Sequence, residues 1–192
     1  MKNKKLKIFN ATNGYSLCLI LAEVMLFFCF FVYTYAYATK TNIGGIMKVT
    51  SSAFQDNTII PSKYTCDGVD INPPLIVEDI PEKTKSLVLI VDDPDAPGGT
   101  WTHWVVFNIP CNGKKLEIKE NSIPGVQGWN DFRKVNYGGP CPPFGTHRYF
   151  FKVYALDIML NLNKGATKQE VENAMSGHIL ASAKLIGLYK RK

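Results

Sequence analysis

The chain has 192 residues, 46% of them hydrophobic, which suffices for one ordinary domain with a real core plus an appendage and excludes wholesale disorder. Its formal charge of +6 is unevenly spread: five Lys and one Glu precede Met47, and from there on 17 Lys and Arg stand against 15 Asp and Glu. A body so close to neutral, whose one run of three basic residues is the closing Lys190-Arg191-Lys192, lacks the clustered basic face of a nucleic-acid binder.

Residues 1–46 read as a hydrophobic leader, and 47–192 as the domain. Lys2, Lys4, Lys5 and Lys7 precede an apolar run from Leu17 to Val32, and Ala36-Tyr37-Ala38 follows. That order fits a signal peptide cleaved after Ala38. The run is also nearly long enough to span a bilayer as an anchor, although Glu23 inside it costs about 3 kcal/mol at mid-membrane. A third reading is a misassigned start. Gly44-Gly45-Ile46-Met47 can be written in codons that resemble a ribosome-binding site ahead of a start codon, which would make Met47 the native first residue. The compartment follows the start: cytoplasmic from Met47, exported or membrane-anchored if the leader is genuine.

Along the body, short apolar runs alternate with Pro, Gly, Asn and Asp, the pattern of an all-β sandwich. Strands are predicted over Lys48–Ser52, Leu75–Val77, Ser86–Asp92, Thr102–Ile109 and Arg148–Leu156. Leu87-Val88-Leu89-Ile90-Val91 is apolar at every position, so its strand should be central and covered on both faces. Near the end, Thr167-Lys168-Gln169-Glu170 forms a capping box, and Val171, Ala174 and Met175 share a helical face behind it. Beyond Gly177 the stretch from His178 to Leu188 reads equally as helix or as a final strand. Cys66, Cys111 and Cys141 cannot all pair, and no C-x-x-C spacing occurs among them. Three free thiols suit a reducing compartment; one disulfide with one leftover thiol suits an exported chain.

Two Pro- and Gly-rich loops, each running into an apolar strand, carry the chemistry-bearing residues. In the first, Asp93-Pro94-Asp95-Ala96-Pro97 holds two carboxylates in a stiff turn, and Trp101 and His103 follow on one strand face. Asp93 is expected to orient His103 and favour its cation, and a cis Ala96–Pro97 bond is expected to bring the carboxylates back toward it. In the second, Gly138-Gly139 and Pro142-Pro143 lead into His147-Arg148-Tyr149. His147 and Tyr149 share the pocket face, Arg148 takes the other as a structural ion pair, and the glycines let backbone N–H groups approach an anion. His178 reads as ordinary packing.

These residues carry a resemblance. Tyr64-Thr65-Cys66-Asp67-Gly68, Asn72-Pro73-Pro74-Leu75, Asp93-Pro94-Asp95-Ala96-Pro97, Trp101-Thr102-His103-Trp104 and Gly145-Thr146-His147-Arg148-Tyr149, in that order, resemble the phosphatidylethanolamine-binding protein family, in its prokaryotic Raf-kinase-inhibitor-like branch. The resemblance covers Met47 to Lys192, apart from Cys111–Val135, which matches no motif. It implies a mainly β fold, a two-sheet antiparallel β-sandwich with a short C-terminal helical segment and a small anion pocket near the C-terminal segment. It carries ligand-binding roles onto Asp93, Trp101, His103, Pro143, His147 and Tyr149.

The expected function is a binding protein for phosphate or a phosphorylated small-molecule head group, coupled to a kinase or protease as protein partner and compatible with a homodimer. No cofactor, catalytic residue or metal is expected, and a membrane is a partner only if the leader is retained. A hydrolase using Asp93, His103 and His147, with or without Cys141 as nucleophile, is the competing reading. A metal site on the two histidines and Asp93 is the third.

Overall fold

The computed structural model describes residues 46–191, and the expectations for the leader and for the native start lie outside them. Two sheets form. β1 (Lys48–Thr50), β3 (Leu75–Glu78) and β6 (Lys115–Ile118) make a three-stranded sheet in the order β1-β3-β6. The larger sheet takes β2 (Thr58–Ile59), β4 (Ser86–Asp93), β5 (Trp101–Pro110), β7 (Val126–Gln127), β8 (His147–Leu156) and β9 (Ile179–Tyr189), in the order β2-β9-β8-β4-β5-β7. Every pairing is antiparallel except that of β2 with β9.

β4 is central, and its unbroken apolar run has the physical cause that the sequence implies. Leu87, Leu89 and Val91 enter the main core with Leu75, Val77, Trp104, Phe151 and Leu185. Val88 and Ile90 face the other way, into a second cluster with Val105, Phe107, Leu156, Val171 and Met175. The last two come from α1 (Lys168–Met175), which roofs that face. Its capping box forms as expected: the Glu170 N–H donates to Thr167 Oγ1 at 3.2 Å and the Thr167 N–H donates to Glu170 Oε2 at 2.7 Å. A cap of this kind is worth about 1 kcal/mol.

The segment beyond Gly177 is a strand. β9 pairs with β8 from Ile179↔Leu156 to Tyr189↔His147, and Leu185 and Tyr189 turn inward. Gly187 fits there because an added Cβ would collide with the Ile60 side chain. The remaining surprises are β2, β6 and β7, strands of two to four residues at or near sheet edges, too short to show alternation in the sequence. A disulfide joins Cys66 to Cys141 across 75 residues, and Cys111 is a free, partly buried thiol. Closing a loop of that length restricts the unfolded chain by about 4 kcal/mol in the chain-entropy account.

Candidate functional site

The two loops meet where β4 ends and β5 and β8 begin. Asp93, at the end of β4, lies opposite Trp101 at the start of β5, and Asp92 lies opposite Phe150 of β8. Between them opens a cavity of about 320 Å³. Asp93, Trp101, His103, Pro143 and His147 line it, together with Phe132, Cys141, Pro142 and the turn from Ala96 to Thr100. Tyr149 does not. Its ring stands behind His103, edge-on at 5.2 Å, and is fully buried. The period-two step puts it on the same face as His147 but farther into the sandwich. Its hydroxyl has no hydrogen-bond partner among the described residues, and burial, helped by the charge of Asp93, pushes its pKa far up. No residue of β9 lines the cavity, although Tyr189 pairs with His147 at its edge.

Asp93 orients a histidine, but it is His147 and not His103. Asp93 Oδ2 accepts from His147 Nδ1 at 2.7 Å, and both residues are nearly sealed from solvent, at 3% and 4% exposure. Its other oxygen accepts the Asp95 N–H at 2.8 Å, closing the turn locally. His103 is held instead by the carbonyl of Gly138, at 2.7 Å from Nδ1. The expected cation at His103 is therefore overturned. Burial of the ring lowers its pKa below the ordinary 6.5, against smaller opposing effects of the Gly138 carbonyl and Asp93. In both rings Nδ1 must carry the hydrogen, because a carbonyl and a carboxylate only accept. Nε2 of each ring has no protein partner among the described residues.

The expected cis Ala96–Pro97 bond is also corrected: no peptide bond among the described residues is cis. The turn needs none. The Asp93 carboxylate caps it at Asp95, the Gly99 N–H closes onto the Ala96 carbonyl at 3.0 Å, and Gly99 adopts φ +106°. Trans is also the default for a bond preceding proline. Asp95 leaves the cavity for Arg148, whose Nε and Nη2 reach its two oxygens at 2.9 and 2.7 Å. That bidentate pair is the structural role expected of Arg148, and it holds the Asp95 carboxyl down at about 2. Asp92, one residue before Asp93, faces the opposite side of β4, where Lys152 and Lys168 donate to it at 2.9 and 3.0 Å. His178 bonds Asp157 at 2.9 Å, away from the cavity.

Sequence reasoning missed Phe132. Its ring packs edge-on against Trp101 and His103, at 5.5 and 5.2 Å, and forms one wall. The turn carrying it is built by Asn130: Oδ1 accepts the Lys134 N–H, Nδ2 donates to the Asn136 carbonyl, and Arg133 adopts φ +59°. A lone aromatic three residues into an Asn-Asp turn was the available signal. Among the described residues, no three His, Cys, Asp or Glu side chains gather in a way that could hold a metal ion. Cys141 is oxidised in the disulfide, which removes the thiolate that the Cys–His form of the hydrolase reading requires.

The comparisons with known proteins agree with this architecture. The family model described as phosphatidylethanolamine-binding protein matches residues 50–190. The UPF0098 protein of Methanothermobacter thermautotrophicus is 53% identical over 150 residues, covering 76% of this chain and 99% of its own. The UPF0098 protein of Aquifex aeolicus is 55% identical over 155 residues, covering 77% and 91%. Among solved structures, a phosphatidylethanolamine-binding protein homologue from Chlamydia trachomatis superimposes with a TM-score of 0.72 at 45% identity, covering 77% of this chain and 99% of that one. YbcL of Escherichia coli, described as a member of the mammalian family, gives 0.70 at 31% identity, covering 77% and 100%. The chain belongs to the phosphatidylethanolamine-binding protein family.

Proposed function

We propose that the protein is a non-catalytic binder whose cavity takes phosphate or a phosphorylated head group. The observation that carries this reading is the pair of imidazoles lining one cavity, each fixed through Nδ1 and each with Nε2 unpartnered among the described residues. With Nδ1 of each ring already engaged by the protein, the two Nε2 atoms are free to meet a polar ligand in the cavity. A carboxylate cannot meet an anion directly. Held on His147, Asp93 is the counter-charge for an imidazolium whose Nε2–H meets the anion, a charged hydrogen bond worth about 1.5–3 kcal/mol. At about 320 Å³ the cavity is at the small end of ligand pockets and suits a head group rather than a whole lipid. With the Cys141 thiol oxidised, the arrangement favours binding over turnover. Regulation of a partner kinase or protease, which the family resemblance implies, would then follow pocket occupancy.

Titration of the full chain with inorganic phosphate and with phosphoethanolamine, followed through the imidazole signals by NMR, tests the reading. Both His103 and His147 are expected to shift. Signals that stay unmoved with both ligands at millimolar concentration would overturn it.

A further inference from the structure

The two imidazoles offer an incoming ligand different things. His147 has a carboxylate behind it, so a second ring proton makes Nε2 a donor with its charge balanced. His103 has a carbonyl behind it, and aromatic rings against its own: Phe132 and Tyr149 each stand edge-on at 5.2 Å. The carboxylates nearest to it are committed elsewhere, Asp93 to His147 and the Asp95 N–H, Asp92 to Lys152 and Lys168. The ring is 3% exposed, and burial favours its uncharged form. With Nδ1–H given to Gly138, an uncharged His103 presents a bare lone pair at Nε2.

We infer that His103 is the specificity-determining residue of the cavity, a hydrogen-bond acceptor that selects oxyanions which keep an O–H, namely hydrogen phosphate or a singly protonated phosphate monoester, over sulfate and phosphodiesters. The inference rests on the binding reading and deepens it. Hydrogen phosphate and sulfate share shape and size, and near pH 8 they share charge; they differ by one proton. Hydrogen phosphate donates that proton to Nε2. Sulfate sets an oxygen lone pair against a nitrogen lone pair and loses the hydrogen bond that hydrogen phosphate makes. A diester has no O–H either, so free phosphate and a lipid diester head group, which share the tetrahedral anion, are separated by the same criterion.

The test is calorimetric titration of the full-length oxidised protein near pH 8 with inorganic phosphate, sulfate and dimethyl phosphate. Phosphate is expected to bind roughly ten- to a hundredfold more tightly than either of the others. In His103→Phe, which keeps an aromatic ring against Phe132 and Tyr149, the ratio should fall toward one, with sulfate gaining as phosphate loses. Independently of any variant, nitrogen-15 shifts of the wild-type imidazole should report a neutral Nδ1–H ring for His103 in the phosphate complex. Equal affinity for phosphate and sulfate, or an imidazolium at His103 in the complex, overturns this inference and leaves the binding reading standing. Tight binding of dimethyl phosphate overturns it too, in favour of a diester head group. If none of the three anions binds, the binding reading fails and takes the inference with it.

Discussion

The cavity has two histidine walls, built on neighbours of the same central strand. On the β8 side, His147 leans on Asp93, and the contact is a buried ion-pair geometry 2.7 Å long. On the β5 side, His103 leans on a carbonyl of the opposite loop, at the same distance, and is otherwise packed among rings. Equal burial and equal bond lengths therefore give unequal groups. The partner, rather than the depth of the ring, distinguishes the two walls: His147 faces a carboxylate, while His103 faces a carbonyl and is driven toward neutrality by burial.

Removing the carboxylate should break the contrast with the largest effect. Asp93→Ala strands the His147 Nδ1–H and the Asp95 N–H in a dry site, and should cost about 2–4 kcal/mol of stability in a urea unfolding curve. Asp93→Asn keeps an acceptor oxygen and should recover part of that stability without recovering phosphate affinity. Next, His147→Ala should weaken phosphate binding by about 1.5–3 kcal/mol in a calorimetric titration, and should do so more than His103→Ala, whose neutral hydrogen bond is worth about 0.5–1.5 kcal/mol. The reverse order would mean that the roles of the two walls are exchanged.

A pH series sharpens the comparison further. His103 has a folded-state pKa below its ordinary 6.5, so the unfolded chain binds that proton first. The stability that this group contributes is whole above about pH 6.5 and drains as pH falls through that value. Urea midpoints measured from about pH 7.5 to about pH 5.5 should therefore fall less steeply in His103→Phe than in wild type. The smallest effect belongs to Asp95, which lies outside both walls. Its carboxyl, held at about 2 by Arg148 against an ordinary 3.8, adds stability that is present above pH 3.8 and lost as pH falls toward 2. Asp95→Asn should abolish that acid dependence in a thermal melt and leave phosphate affinity at neutral pH unchanged.

Much of this was legible in the chain. The five long or well-bounded strands, the capping box at Thr167 and the doubly covered β4 follow from periodicity and punctuation, because those signals are local. Five of the six expected pocket residues line one cavity for a similar reason: four sit at or near strand ends beside Pro- or Gly-rich turns, and Pro143 lies in the turn that leads into β8. The partner of Asp93 was not legible. β4 has β5 on one side and β8 on the other, and its pairing with β5 shifts register between Val91 and Asp92, so sequence proximity favoured His103 while geometry favours His147. Tyr149 was placed on the right face and too near the cavity, since two residues of strand carry a side chain about 6–7 Å deeper. Phe132 was missed because the turn that presents it has no period at all.

The wall running Pro140-Cys141-Pro142-Pro143 contains a single amide N–H in four residues, so no ladder of backbone hydrogen bonds can fasten it. What fastens it is the turn at Cys66, whose N–H donates to the Pro140 carbonyl at 3.1 Å and whose sulfur joins that of Cys141. The next residue, Asp67, accepts the Tyr189 hydroxyl at 2.8 Å and Arg191 Nε at 3.1 Å, and Tyr189 lies beside His147 in the sheet. Wall, turn, final strand and pocket histidine thus close into a ring of linkages. One link in that ring yields to electrons rather than to heat. A dithiol in the buffer is expected to open it and to loosen the wall, so phosphate titrations run with and without reductant would measure how far the cavity depends on that one bond.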